Sequence, residues 1–483
     1  MNRVVLQTHD RMMGEDILVD RQALDHAIRF IKSWLTERYE RSHLPGFVVA
    51  IAHQGKLLLN EAYGMADVER GIKLTPDHVF RIASHSKTFT ATAIMQLAEE
   101  GLLRIDDYAA DYLPWLKGHP DERWGRVTVR QLLSQGAGVI RDGLNADYWQ
   151  LERPFPDAER FRREISETAL ILDNNTRMKY SNYGYTLLGL IIESASGRAY
   201  NDFVVERTVN PLGLKSTFPE YQPDCGQPSA TGYSRQENKT RKPIPHIDTR
   251  AMSPATGFCS TARDLCTYFT AHMVGSDQLL LDESKKEMQR PHWPAKQGGE
   301  RYGLEYGLGL MIREYGKRTM FGHSGGFPGF ITQSMGDPED GLVVVALTNA
   351  IDGPADRLVT GVYHIISYFQ EHDAGEGSRD HLMPWEGIYE DLWGTTAIAA
   401  MLDHLVAANP DEWEPFANSD KLEYVEDGTF RINAAQSFGS EGELVHFHRK
   451  DGQVKTMIYG GRTSWLKAAW AGKQRHRETI GFD

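Results

Sequence analysis

The run Val79-Phe80-Arg81-Ile82-Ala83-Ser84-His85-Ser86-Lys87-Thr88-Phe89-Thr90 decides how the rest of the chain is read. An apolar stripe continues it through Ala91, Ile94, Met95, Ala98 and Leu102. These positions follow the i, i+3, i+4, i+7 spacing of one helical face. Gly101 stands where such a helix ends with a residue at positive φ. The spacing predicts a helix of about four turns that starts near Ser84 and buries its stripe in a core. Ser84 and Lys87, three apart in its first turn, emerge on the same face.

A serine hydroxyl needs a nearby base to become a nucleophile. Lysine can be that base only when its pKa falls, and burial and the positive end of a helix both lower it. The same helix end leaves backbone N–H groups unpaired, that of Ser84 among them, where they can stabilise an oxyanion. S-x-x-K therefore describes a mechanism for acyl transfer. The same string also occurs as a helix cap beside a solvated lysine, so the reading leans on two further segments.

The length, 483 residues, suggests two or three domains. A composition 41% hydrophobic and 25% charged is that of an ordinary globular protein. The net charge of −13 argues against nucleic acid or an anionic membrane as partner, since both reward basic surfaces. Three cysteines, Cys225, Cys259 and Cys266, form no C-x-x-C pair and favour thiols in a reducing compartment. No zinc-ligand spacing is present. Met1 to Asp20 contains no apolar signal-peptide core, and no apolar run reaches membrane-spanning length. The expected location is cytoplasmic.

Along the chain, residues 1–20 read as an extension. Leu24, Ile28, Ile31 and Leu35 mark an amphipathic helix that Pro45-Gly46 ends. Phe47 to Ala52 is a buried strand, turned at Gln54-Gly55 into Lys56 to Leu59. Residues 106–250 are mostly helix and loop. They include a short helix over Val127 to Leu133, a buried helix over Gly184 to Ser196 and a long surface excursion over 220–250. Thereafter come a helix from Thr261 to Met273 and strands over Tyr306 to Ile312, Lys317 to Phe321, Phe330 to Met335 and Leu342 to Thr348. A last helix runs from Ala355 to Phe369. If the late strands pair with the early hairpin, one antiparallel sheet with helices on its faces results. Residues 371–380, with two glycines and five charged residues, read as a linker between a main domain at 21–370 and a smaller one at 381–483. The smaller domain carries two hairpins turned at Asp427-Gly428 and Asp451-Gly452, and so reads as β-rich. His446 and His448 share one face of a strand there, a weak metal-ligand pattern with no third ligand evident.

The second chemical segment is Tyr180-Ser181-Asn182. Tyr180 can serve as a phenolate or proton relay if Lys87 keeps its pKa low, and Asn182 can bind a substrate carbonyl. The third is Gly322-His323-Ser324-Gly325-Gly326-Phe327-Pro328-Gly329-Phe330, whose glycines let a substrate backbone approach. It also matches G-x-S-x-G, which would make Ser324 the nucleophile of an elbow. An elbow needs a helix after its serine, and Phe327-Pro328-Gly329-Phe330 cannot start one cleanly.

In this order the three segments resemble the serine β-lactamase and penicillin-binding-protein family, in particular its class C-like branch of esterases, D-aminopeptidases and related hydrolases. The resemblance spans roughly residues 20–370. It implies an α+β fold, a transpeptidase-like antiparallel sheet flanked by helices with a helical subdomain, followed here by a small barrel-like β domain. It implies Ser84 as nucleophile, Lys87 as its base and Tyr180 as general acid/base. Asn182, His323 and Gly325 would contact substrate, with His323 in place of the K-T-G lysine. The backbone N–H groups of Ser84 and Gly326 would form the oxyanion hole. No metal or organic cofactor is implied, and the substrate would be a small ester, amide or short peptide, cleaved by a carboxylesterase or a D-residue-tolerant amidase or peptidase; the alternatives are a β-lactamase or penicillin-binding DD-peptidase and, with all three motifs intact counting against it, a non-catalytic scaffold relative. Relatives place such a C-terminal domain beside the site, where it restricts substrate size or forms homo-oligomer contacts. Two departures stand out. Gln135-Gly136-Ala137-Gly138 replaces a His-Thr-Ser-Gly-like run, and H-x-G removes a fixed positive charge that would pair with a β-lactam carboxylate. Tyr148, Trp149, Tyr183, Phe327 and Phe330 are candidate walls of an apolar acyl pocket.

Overall fold

The computed structural model describes residues 19–223, 226–294, 304–433 and 440–467. Cys225 and most of the 1–20 extension fall outside them. The early hairpin and the late strands do pair. Nine strands form one antiparallel sheet, in the order Ile72–Lys73, Lys56–Asp67, Gly46–His53, Leu342–Thr348, Phe330–Asp337, Arg318–Phe327, Met311–Tyr315, Leu304–Tyr306, Trp293–Pro294. The seam is Gly46–His53 against Leu342–Thr348, with Phe47 opposite Thr348. Gln54 and Gly55 both take positive φ, 49° and 75°, which suits the twist of a two-residue hairpin turn.

Both central strands are buried along their whole length because both faces of the sheet are covered. Alternate residues divide between two cores. Phe47, Val49, Ile51, Val344 and Ala346 pack with the first helix, Arg21–Arg41, and the late helix Ala355–His372. Val48, Ala50, Val343, Val345 and Leu347 pack with the Ser86–Glu99 helix and the Ala262–Ala271 helix. The helical half adds Val129–Leu133, started by a Thr128/Gln131 capping box, and Asn182–Ser196, started by the Ser181 hydroxyl.

One predicted strand is broken. Tyr306 to Ile312 is split into Leu304–Tyr306 and Met311–Tyr315, with a bend between. Gly309 takes φ +76°, and a Cβ there would lie 2.4 Å from that of Ala91. The bend therefore folds down on the Ser86–Glu99 helix, a close approach that alternation of polarity cannot reveal.

Eight strands, from Gly387–Glu390 to Arg462–Leu466, form a closed barrel in chain order. Tyr389, Leu422, Phe430, Phe447 and Met457 fill its core together with Leu382 and Trp385 from the segment that leads into it. Both D-G turns are present, with Asp451 at φ 55° and Gly428 and Gly452 at 76°. The barrel shares apolar packing with the main body, since Ala397, Ala399, Met401, Val406 and Phe416 join the core of the first helix and the late helix. Trp34 Nε1 donates to Glu412 O at 3.1 Å and Arg38 to Asp411 O at 2.7 Å across the same seam. His26 lies buried between Asp373 (2.8 Å) and Glu386 (2.7 Å), tying the first helix to the approach into the barrel. His446 is close to Thr429 Oγ1 at 3.3 Å, and among the described residues no group of three metal-type ligands gathers. Among the described residues no helix is long and apolar enough to cross a membrane.

Candidate active site

Every residue from 78 to 97 is buried except Ser84. The serine sits in a tight turn, Ala83–His85, that runs straight into the Ser86–Glu99 helix. Ala83 takes φ 49°, a left-handed backbone that costs a non-glycine residue about 1 kcal/mol or more. The turn is held on several sides. Ser86 Oγ donates to Ala83 O at 2.5 Å and accepts from Phe258 N at 3.0 Å. Ile82 N donates to Phe258 O at 2.9 Å. His85 joins Ile82 O (3.0 Å) to Ser334 Oγ (2.9 Å) on the sheet.

Lys87 is fully buried, and its Nζ faces three oxygens: Ser84 Oγ at 3.1 Å, Asn182 Oδ1 at 2.7 Å and Ala255 O at 2.8 Å. Burial pushes its pKa well below the ordinary lysine value, with the nearby charge of Asp142 opposing and that of Arg141 assisting. A neutral amine has two N–H groups and one lone pair. Asn182 Oδ1 and Ala255 O can only accept, so they take the two N–H groups. The lone pair is left facing the Ser84 hydroxyl, the one partner of the three that can donate.

Tyr180 is gripped on both sides by Gln135. The Gln135 carbonyl accepts from Lys179 N at 2.8 Å, and its side-chain oxygen accepts from Ser181 N at 2.8 Å. The Tyr180 ring lies 4.8 Å from Lys87 Nζ and 5.3 Å from the Arg141 guanidinium, and Ser84 is near enough to pull its pKa down. Burial pushes the phenol well above its ordinary value of 10.0. Desolvation outweighs the lowering pull of Arg141, which favours a resting neutral phenol over the phenolate that the sequence allowed.

Asn182 is buried with both ends of its amide engaged, Oδ1 by Lys87 and Nδ2 by Asp142 Oδ1 at 2.6 Å. A substrate carbonyl would have to share Nδ2 with Asp142. His323 is fully buried, between Tyr306 OH (3.2 Å) and its neighbour's Ser324 O (2.6 Å). Burial, with Lys87 and His85 nearby, pushes its pKa well below 6.5, so it carries no fixed charge. Gly325 is where the Arg318–Phe327 strand meets the serine turn, and a Cβ there would lie 2.2 Å from Ile82 O. Gly326 is exposed, with only Ile331 Cδ1 at 3.6 Å from its Cβ position. Ser324 lies mid-strand, and the chain after it turns into another strand, Phe330–Asp337. That is a hairpin and not an elbow.

Of the five aromatics, Tyr148, Tyr183, Phe327 and Phe330 are buried, and Trp149 alone is half-buried. Trp149 meets Phe327 at 5.9 Å, and Phe155 stacks on Phe327 at 6.1 Å. Phe155 had no signal in the sequence beyond being aromatic. Ala255 acts through a carbonyl, which sequence cannot mark. Asp142, beside Arg141 just after the glycine-rich wall, carried no signal in the sequence that marked it.

The Beta-lactamase family model matches residues 31–364. Protein flp of Staphylococcus aureus (strain MW2) is 26% identical over 321 residues, covering 66% of this chain and 62% of that protein. The chain thus spans less than two thirds of the length of that curated relative. The octameric penicillin-binding protein homologue from Pyrococcus abyssi superposes with TM-score 0.63 at 22% identity, over 91% of this chain and 100% of its own. The D-amino acid amidase from Ochrobactrum anthropi SV3, complexed with L-phenylalanine, gives TM-score 0.59 at 24% identity over 71% and 97%. At these identities the two structures establish the fold.

Proposed function

The chain belongs to the beta-lactamase family, and from that premise we propose that it is a serine hydrolase acting on an ester or amide bond of a small substrate through an acyl-enzyme on Ser84. The observation that carries this is the buried Lys87 Nζ, 3.1 Å from Ser84 Oγ and otherwise facing only the acceptors Asn182 Oδ1 and Ala255 O, so that the neutral amine, which burial favours, has only the Ser84 hydroxyl left for its lone pair. Ser84 attacks the carbonyl as Lys87 takes its proton. The developing oxyanion is met by the N–H groups of Ser84 and Gly326. Tyr180, neutral at rest, gives its proton to the leaving group. The acyl-enzyme then holds a Lys87 ammonium beside a Tyr180 phenolate, the one state in which the cation 4.8 Å from the ring stabilises that charge. Water loses a proton to Tyr180, attacks the acyl carbonyl, and Lys87 returns its proton to Ser84.

An apolar acyl group is supported by Trp149, half-buried against Phe327, while Phe155 and Phe327 are themselves buried. A relative that is a D-amino acid amidase supports tolerance of D-residues. Neutral His323 offers no charge for a β-lactam carboxylate, which argues against efficient β-lactamase or cell-wall DD-peptidase activity. A cytoplasmic setting is supported by the buried thiols Cys259 and Cys266, and homo-oligomerisation by the octameric relative.

The test is labelling with a fluorophosphonate, peptide mass spectrometry, and a Ser84→Ala control. We expect label on Ser84 that the substitution removes. p-Nitrophenyl esters and D-aminoacyl anilides should be turned over faster than nitrocefin. Label on Ser324, or on no serine of folded protein, would sink the proposal.

A further inference from the structure

We propose that Asp142 is a positioning residue, which fixes the Asn182 amide so that the free amine of Lys87 can offer its lone pair only to Ser84. The inference rests on the Ser84–Lys87 reading above. Asp142 is 8% exposed. Its Oδ1 accepts from Asn182 Nδ2 at 2.6 Å and its Oδ2 from Arg141 Nε at 3.1 Å. Its backbone is pinned as well, since its carbonyl accepts from Tyr148 OH at 2.8 Å and the Arg141 carbonyl accepts from Asn182 N at 2.9 Å. The loop and the start of the Asn182–Ser196 helix are therefore one unit at this point.

An asparagine amide can sit either way round, and the two orientations differ only in which end accepts. Next to a carboxylate, which only accepts, one orientation survives. Rotating the Asn182 amide would set its oxygen 2.6 Å from Asp142 and its NH2 2.7 Å from Lys87 Nζ. The first contact is acceptor on acceptor. The second would draw the lysine lone pair towards Asn182 and away from Ser84. Asp142 thus decides, two side chains away, where the reactive lone pair points.

Asp142 also acts by charge. The groups facing Lys87 are the phenols of Tyr180 and Tyr185, the His323 imidazole, the Arg141 guanidinium and the Asp142 carboxylate. Arg141 favours the free amine and Asp142 favours the ammonium, so Asp142 keeps the base from becoming too weak. Removing the charge lowers the Lys87 pKa further. The pH at which half of Lys87 is free base then moves to a lower value.

Asp142→Ala and Asp142→Asn separate the two effects. In Asp142→Ala the acceptor is lost, and kcat on a p-nitrophenyl ester should fall by about 10- to 100-fold with KM changed less than about twofold. In Asp142→Asn the new amide can rotate its oxygen to Asn182, so kcat should return to within about fivefold of wild type. Its acid limb of kcat/KM should shift to lower pH because the charge is gone. Fluorophosphonate titration counts the competent sites. If Asp142→Ala merely loses sites in proportion to rate, or if both variants keep wild-type kcat and pH profile, the inference fails. An acid limb moving to higher pH in Asp142→Asn would also overturn it. Wild-type label away from Ser84 would instead overturn the underlying reading.

Discussion

A lysine that gives up its charge must still satisfy two N–H groups, and Lys87 does so with Asn182 and Ala255. Ser84 and Lys87 were legible from S-x-x-K because their chemistry depends on three-residue spacing along a helix. Asp142 and the Ala255 carbonyl were not, because both come from segments far away in sequence and one of them has no side chain to read. Tyr180 was legible as a candidate from Y-x-N, but its resting state was not, since desolvation is set by tertiary packing. The pH dependence of kcat/KM follows from these groups. Catalysis needs Lys87 as free base, so the rate should rise with pH through a midpoint below the ordinary lysine value of 10.5. It also needs Tyr180 as phenol, which burial keeps protonated, so no fall is expected until pH exceeds the ordinary 10.0. Tyr180→Phe should cut kcat by about 10²–10⁴-fold while complete fluorophosphonate labelling of Ser84 is still reached at long times. A fall in rate below pH 9 in the wild type would contradict the phenol assignment.

Neighbouring glycines on the Arg318–Phe327 strand do different work. The sequence suggested that the Gly322–Gly329 run makes room for substrate. At Gly325 the approaching backbone is the protein's own, the Ile82 carbonyl two residues before Ser84. Gly326 is the open one. The distinction could not be drawn from sequence, because alternation along the strand gives the face of each residue but not the distance to what lies opposite. A methyl group at 325 must push the serine turn away, whereas one at 326 meets only the end of Ile331. Gly325→Ala should cost about 1–3 kcal/mol in thermal or urea unfolding and slow labelling of Ser84. Gly326→Ala should stay within about 0.5 kcal/mol of wild type. Equal destabilisation by the two would mean that the strand does not buttress the turn. The split of the Tyr306 to Ile312 strand belongs to the same lesson, with Gly309 seated on Ala91.

At the scale of the molecule, alternation and turn residues announced the sheet and the barrel's hairpins, but nothing announced how the barrel would be fastened. His26 is one fastening, with Asp373 and Glu386 on either side. Burial lowers its pKa, but the two carboxylates outweigh burial and the net shift is upward from 6.5. The unfolded chain titrates near the ordinary value, so the stabilisation is complete below pH 6.5 and is lost as pH rises through the raised folded pKa. His26→Gln should therefore destabilise by about 3 kcal/mol at pH 5.5 and by progressively less at alkaline pH, measured by urea unfolding across pH. A deficit that grows with pH would contradict the charged triad. The seam of the central sheet has a consequence of another kind, for the ribosome. The Gly46–His53 strand leaves the exit tunnel early, but its partner Leu342–Thr348 follows about 300 residues later. At roughly 5–20 residues per second that is about 15–60 s in which two buried faces stand open. During that interval the first hairpin is a bare sheet edge in a crowded cell, and the nascent chain has reason to travel with a chaperone until its last third arrives.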